Sequence, residues 1–239
     1  MKTNVYTSPD KLATARLFAD HLVELVKSAE VFHCSVSGGS TPKLLFDLLA
    51  KEYGQLIPWE RVHFWWGDER CVPPTDSDSN YGMTKSLLFD HIDIPAENIH
   101  RVLGENDPEQ EAIRYSEEMT TIMPMVDGLP QYDLIMLGMG DDGHTASIFP
   151  HQMELLKAEP ICAVATHPTS GQKRITLTGP SLQMAKKVAF LVTGENKQDK
   201  VASILNEPTE TSPYPAAHIQ PLEGDLVWYL DEAAAAKIS

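Results

Sequence analysis

The most constraining feature of the sequence is an apolar segment that runs directly into a glycine-rich loop, Leu134-Ile-Met-Leu-Gly-Met-Gly-Asp-Asp-Gly-His-Thr-Ala-Ser-Ile-Phe-Pro150. The apolar residues predict a buried strand, and the glycines let the backbone turn tightly and approach a ligand closely. The loop places Asp141, Asp142 and His144 beyond the carboxyl end of that strand, where open α/β sheets bind ligands. Imidazole suits general-base catalysis near neutral pH, and a nearby carboxylate can fix its tautomer. The segment therefore predicts an active-site loop in which His144 is the candidate base and Asp141 or Asp142 its partner.

The same letters match G-x-G-x-x-G, the phosphate-binding turn of dinucleotide-binding proteins. That interpretation needs a helix that begins at the third glycine, with a pyrophosphate at its N-terminus. Asp141 and Asp142 would repel a pyrophosphate, and Pro150 leaves room for only about two helical turns after Gly143. An ordinary polar loop is a further alternative, because such residues collect in loops. We favour the catalytic interpretation over both.

Size and charge exclude several classes of function. The 239 residues suffice for one large α/β domain, and we expect a single domain over residues 1–239 because no repeat or linker divides them. The net charge of −15 argues against binding to nucleic acid or anionic membranes, which needs clustered Lys and Arg. A small anionic ligand remains compatible with this charge if a few basic residues converge locally.

The cysteines and the N-terminal segment indicate a soluble cytoplasmic protein. Cys34, Cys71 and Cys162 are widely spaced and form no disulfide or metal-binding pattern, so we expect reduced thiols. The N-terminal segment lacks the apolar stretch of a signal peptide, and no apolar run is long enough for a transmembrane helix.

Predicted strands and helices alternate along the chain. We expect helices at 12–27, 42–49, 81–89, 108–123, from Pro180, at 197–205 and in a tail capped by Asp231. We expect strands at 31–36, 62–66, 132–137, 161–165, 174–178, 188–192 and 227–230, with a polar loop at 67–80. This alternation predicts an α/β fold with an open, mainly parallel sheet and helices on both faces.

Another candidate site follows the first of these strands, in Ser37-Gly-Gly-Ser-Thr-Pro42. Pro42 suits the first position of a helix. The backbone N–H groups and side chains of Gly38, Gly39, Ser40 and Thr41 would then form an anion site at the helix N-terminus. A simple capping turn is the alternative, because Ser and Thr are common helix caps. No P-loop lysine is present, which argues against a nucleotide triphosphate.

Charged residues at the ends of other predicted strands complete the candidates. Asp68 and Arg70 could bind sugar hydroxyls and phosphate respectively, although a surface ion pair is an equal alternative. Arg174 begins a strand, and Lys197 opens a helix, where its charge opposes the helix dipole unless an anion is bound. Each could equally be a solvated surface residue. The histidines show no metal-binding spacing, so we expect no metal site.

Taken together and in order, these motifs closely resemble those of the 6-phosphogluconolactonase family. The matching segments are Ser37-Gly-Gly-Ser-Thr-Pro42, Trp66-Gly-Asp-Glu-Arg70 with Ser79-Asn-Tyr81, Gly138-Met-Gly-Asp-Asp-Gly-His-Thr-Ala-Ser-Ile-Phe-Pro150, Arg174-Ile-Thr-Leu-Thr178 and Gly194-Glu-Asn-Lys197. The resemblance implies a Rossmann-like fold and hydrolysis of 6-phospho-D-glucono-1,5-lactone to 6-phospho-D-gluconate. It implies no cofactor and no metal, and only a small phosphosugar lactone as binding partner.

The resemblance also implies roles for individual residues. The catalytic positions are His144, Asp142 and Asp68, and the family pattern favours Asp142 as the residue that orients His144. The substrate- and phosphate-binding positions are Gly38, Gly39, Ser40, Thr41, Arg70, Arg174 and Lys197. Related glucosamine-6-phosphate deaminases typically carry a glutamate shortly after the histidine, whereas this chain continues Thr145-Ala-Ser-Ile-Phe-Pro150 without an acid. Deaminase/isomerase activity and a non-catalytic sugar-phosphate sensor are the competing hypotheses.

Overall fold

The computed structural model describes residues 3–238. The strands are β1 Thr3–Ser8, β2 Phe32–Val36, β3 Val62–Trp66, β4 Asp68–Arg70, β5 Met125–Val126, β6 Leu129–Pro130, β7 Leu134–Leu137, β8 Cys162–Thr166, β9 Lys173–Leu177, β10 Lys187–Val192 and β11 Asp225–Asp231. The α-helices are α1 Lys11–Lys27, α2 Ser40–Leu48, α3 Asn80–Leu87, α4 Pro108–Ile122, α5 Gly179–Gln183, α6 Gln198–Asn206 and α7 Glu232–Ala235. In this part of the chain, no helix combines the length and the apolar character needed to cross a membrane.

The main sheet has six strands in the order β1-β11-β10-β7-β2-β3, and all neighbouring pairs are parallel. Strands β2 and β7 are buried at every position. Because successive side chains point to opposite faces of a strand, complete burial means that both faces of the sheet are covered. The predicted α/β fold with an open, mainly parallel sheet is confirmed.

The strand order creates a crevice between β2 and β7. After β2 the chain continues outward to β3 at one edge, whereas after β7 it continues towards β10 and β11 on the other side. The loops that follow β2 and β7 therefore diverge at the carboxyl ends of two adjacent strands. Open α/β sheets bind ligands at such switch points.

A separate three-stranded antiparallel sheet, β4-β9-β8, stands beside this crevice. The prediction of an uninterrupted polar loop at 67–80 is wrong, because residues 68–70 form β4 and pair with β9. Asp68 and Glu69 are nevertheless buried. Because these two residues are polar, the sequence did not indicate a strand here. Their side chains accept hydrogen bonds from residues that are distant in sequence.

Other differences concern element boundaries and edge strands. Helix α2 begins at Ser40 rather than at Pro42. A proline within the first turn is tolerated because the N–H groups of that turn need no intrahelical acceptor. The sequence did not indicate β1, which pairs with β11 at the sheet edge, nor the short hairpin of β5 and β6. In α1, Asp10 caps the helix by accepting the Ala13 N–H at 2.8 Å.

Candidate active site

A cleft of about 370 Å³ opens at the carboxyl ends of β2, β7 and β10. The main sheet contributes the loops after these strands, and the small sheet contributes side chains from β4 and β9. All but one of the predicted site residues line this cleft: Gly38, Gly39, Ser40, Thr41, Asp68, Arg70, His144, Arg174 and Lys197. The exception, Asp142, lies behind His144 and contacts its ring.

The His144 imidazole is hydrogen-bonded to the carboxylate of Asp142. Its Nδ1 lies 2.6 Å from Asp142 Oδ1, and the same oxygen accepts the His144 backbone N–H at 3.1 Å. Partial burial would raise the pKa of Asp142, but its hydrogen bond and charge interaction with His144 lower that pKa to about 2. In the neutral imidazole, an Nδ1–H that donates to this ionised carboxylate leaves the other ring nitrogen, Nε2, as a proton acceptor.

Close packing fixes the position of the His144 ring. The ring contacts the buried ring of Phe149, with centroids 4.7 Å apart and planes tilted by 50°. The other constraint is Gly140, where a Cβ atom would overlap the imidazole. The loop can therefore hold the ring in this place only because residue 140 has no side chain.

Asp141 points to a different partner. Its carboxylate forms an ion pair with Lys197 and accepts the Asn196 side-chain N–H at 2.8 Å. The hydrogen bond from Lys197 lowers the pKa of Asp141. Of the two adjacent aspartates, Asp142 thus contacts the imidazole, while Asp141 ties the loop after β7 to the turn after β10.

Asp68 and Arg174 lie on the adjacent strands β4 and β9 of the small sheet, and both are at least nine-tenths buried. Asp68 Oδ2 accepts the Ser147 hydroxyl at 2.6 Å and lies 3.9 Å from the nearer guanidinium nitrogen of Arg174. Burial lowers the pKa of Arg174, an effect that the charge of Asp68 opposes. The guanidinium also lies over the Phe149 ring, 5.6 Å from its centroid, so one aromatic ring supports both His144 and Arg174.

Arg70 is held at the rim by its neighbours. Its guanidinium donates to the Asp78 carbonyl at 2.8 Å. The buried Glu69 carboxylate accepts the backbone N–H of Arg70, Asn80 and Tyr81. Burial raises the pKa of Glu69, against the lowering effect of these hydrogen bonds. Glu69 therefore joins β4 to the start of α3 and is a structural neighbour of the cleft.

The N-terminus of α2 opens into the cleft without a side-chain cap. Gly39 precedes it with a φ of 118°, a conformation that favours glycine. The Thr41 hydroxyl lies 3.0 Å from the Thr193 hydroxyl, which links α2 to the end of β10. Uncapped N–H groups and the positive end of the helix dipole make this a favourable anion site.

Comparison with known proteins identifies the family of the chain. The family model of glucosamine-6-phosphate isomerases/6-phosphogluconolactonase matches residues 9–228. The chain belongs to this family. The 6-phosphogluconolactonase of Haemophilus influenzae is 53% identical over 203 residues, which cover 84% of this chain and 85% of that protein. The crystal structure of the devB protein is similar with a TM-score of 0.96 at 46% identity, covering all of both chains. The 6-phosphogluconolactonase of Trypanosoma brucei superposes with a TM-score of 0.90 at 25% identity, over 100% of this chain and 99% of that one.

Within this family member, the cleft also contains residues that the sequence did not single out. Lys11, Thr193 and Asn196 line it, and the Ser147 hydroxyl donates a hydrogen bond to the Asp68 carboxylate. Lys11 had a usable signal, because it is a lysine at the first position of a helix, the same feature that drew attention to Lys197. For Ser147 and Thr193, no local sequence pattern distinguishes a buried hydroxyl beside the cleft from a solvent-exposed one. Among residues 3–238, no group of three or more His, Cys, Asp or Glu side chains is arranged to hold a metal ion.

Proposed function

We propose that the protein hydrolyses 6-phospho-D-glucono-1,5-lactone to 6-phospho-D-gluconate, with His144 as the general base. The observation that carries this proposal is the imidazole in the cleft, backed by the Asp142 carboxylate and accompanied by Arg70, Arg174 and Lys197. The enzyme class has independent support: the chain is a lactone hydrolase, with relatives named 6-phosphogluconolactonase at up to 53% identity.

The reaction needs an activated water but no covalent nucleophile, because a lactone is an activated ester. His144 Nε2 accepts a proton as a water molecule attacks the lactone carbonyl carbon, and the imidazolium that forms is stabilised by Asp142. When the tetrahedral intermediate collapses, the ring C–O bond breaks and the imidazolium returns its proton to the leaving oxygen. Such assistance is worth roughly 10²–10⁴ in rate. Backbone N–H groups of the loop after β7 are the candidate donors to the oxyanion.

Asp68 is proposed to hold ring hydroxyls or the attacking water. Ser147 occupies its Oδ2 atom, so Oδ1 is the oxygen available to a ligand. The phosphate group is proposed to bind Arg70, Arg174, Lys197 and the turn formed by Gly38, Gly39, Ser40 and Thr41. Binding a non-reacting group in this way positions the lactone carbonyl against the base.

The decisive experiment is a coupled assay with enzymatically generated lactone, corrected for spontaneous hydrolysis. We expect turnover of the lactone and no release of ammonia from glucosamine 6-phosphate. Ammonia release without lactone hydrolysis would identify a deaminase/isomerase. Tight binding of phosphosugars with no turnover of either compound would identify a sensor and refute the proposed activity.

A further inference from the structure

Lys11 places an additional cation in the cleft. It is the first residue of α1, and a Cβ atom built on Gly194 would lie 3.6 Å from its ammonium nitrogen. Gly194 begins the turn that carries Lys197, and the preceding Thr193 contacts Thr41 at the start of α2. Lys11 therefore lies at the end of the cleft where the N-terminus of α2 and Lys197 meet.

No carboxylate among residues 3–238 forms an ion pair with Lys11, unlike Lys197 and Arg174. Lys197 is paired with Asp141, and Arg174 lies 3.9 Å from Asp68. By contrast, no carboxylate oxygen of residues 3–238 lies within 4 Å of the Lys11 ammonium, which also makes no hydrogen bond there. The first turn of α1 contains no acidic residue, and the carboxylate of the N-cap residue Asp10 accepts the Ala13 N–H rather than pairing with Lys11. An anion that enters the cleft can therefore reach the Lys11 ammonium without displacing a carboxylate of residues 3–238.

We propose that Lys11 binds the phosphate group of the substrate and helps the enzyme to select phosphorylated over unphosphorylated sugar lactones. The proposal rests on the proposed function and adds a residue to its phosphate site. A lysine suits this position because its ammonium is a point charge on a flexible stem, which can reach a phosphate oxygen from the rim. Lys197 alone would be a weaker phosphate ligand, since Asp141 competes for its ammonium.

Isothermal titration calorimetry of the full chain with 6-phosphogluconate and with gluconate tests this role without requiring turnover. Lys11→Met should weaken binding of 6-phosphogluconate roughly tenfold, because it removes one charge-assisted contact. Lys11→Arg should restore most of that affinity. Lys27→Met is the matched control, since it removes the same charge from the opposite end of the same helix, and it should bind like the wild type. Affinity for gluconate should be the same in all four proteins.

Equal affinity of Lys11→Met and Lys27→Met for 6-phosphogluconate would overturn the assignment. So would an equal loss of affinity for gluconate and 6-phosphogluconate, since the contact would then not involve phosphate, or a wild type that does not bind 6-phosphogluconate. A wild type that binds 6-phosphogluconate but does not hydrolyse the lactone would refute the proposed activity and leave the binding comparison valid. The two failures are thus distinguishable.

Discussion

Removing the charge of Asp142 is the most direct test of the proposed base. A single oxygen, Oδ1, accepts both the ring Nδ1–H and the backbone N–H of His144. An asparagine can keep an acceptor oxygen in this position, so Asp142→Asn removes the negative charge and keeps the geometry. Asp142→Ala removes the charge together with both hydrogen bonds. Comparing the two variants separates electrostatic stabilisation of the imidazolium from orientation of the ring.

The size of the effect follows from the pKa of Asp142. Partial burial opposes the shift, but the interaction with His144 lowers this pKa to about 2. One pKa unit corresponds to ~1.4 kcal/mol, which bounds the coupling at roughly 2–3 kcal/mol. The Asp142 side chain is 42% exposed, so solvent screening reduces the coupling to roughly 1–1.5 kcal/mol. Asp142→Asn should therefore lower kcat about tenfold, and Asp142→Ala about 100-fold because the ring is also freed.

The assay is the pH dependence of kcat/KM for the lactone, measured between about pH 5 and 9 with the spontaneous rate subtracted. Without the carboxylate the imidazolium that forms during the reaction is less stable, so kcat/KM should fall about tenfold across this range in Asp142→Asn. Asp141→Asn is the matched control, because Asp141 pairs with Lys197 rather than with the ring. It should alter KM and leave kcat near the wild-type value. If the Asp142→Asn and Asp141→Asn profiles superimpose, Asp142 does not support the base.

Three further predictions concern the site and the stability of the fold. His144→Ala should lower turnover roughly 10²–10⁴-fold with little change in melting temperature, and near-normal lactone hydrolysis would exclude it as the base. Arg174→Ala should raise KM and reduce the preference for phosphorylated over unphosphorylated lactone in competition assays; unchanged selectivity would show that Arg174 does not bind phosphate. Burial, followed by the charge of His63, lowers the pKa of His33 to about 4. Below about pH 6.5 the imidazole of residue 33 is therefore protonated more readily in the unfolded chain than in the folded protein. The free energy of unfolding should fall by up to ~3 kcal/mol between about pH 6.5 and 4. Urea denaturation across this range should show a flatter pH dependence for His33→Gln, and parallel curves would contradict the assignment.

Much of the fold could be predicted because its strongest signals are local. Largely apolar runs marked the buried strands β2, β3, β7 and β10, and the cap residue Asp231 marked the start of the tail helix α7. Strand β4 was not predictable in this way. Asp68 and Glu69 are buried only because Ser147, Asn80 and Tyr81 supply hydrogen bonds from distant segments. The expectation of a single domain stays a prediction.

The sequence alone left open whether Asp141 or Asp142 contacts His144, and the local backbone geometry explains why it is Asp142. Asp142 accepts the backbone N–H two residues ahead, which is the hydrogen bond of an Asx-turn. The turn is closed by the Gly143 N–H donating to the Gly140 carbonyl, with Gly143 at a φ of 80°. This reversal brings the Asp142 carboxylate back to the ring and directs Asp141 outward. A family pattern could favour Asp142, but only the turn explains the preference physically.

An acidic protein that binds a phosphate ester must overcome its own net charge of −15. The cleft does so by gathering Lys11, Arg70, Arg174 and Lys197 at one point of the surface. The buried Nε atoms of Arg70 and Arg174 have no hydrogen-bond partner among residues 3–238. A buried donor without an acceptor costs roughly 1–3 kcal/mol, which an anionic ligand that accepts from it would recover. In the proposed phosphate site, these unsatisfied donors would therefore contribute part of the affinity. Since that contribution comes from buried contacts, added salt should weaken it less than it weakens the contribution of the exposed Lys11.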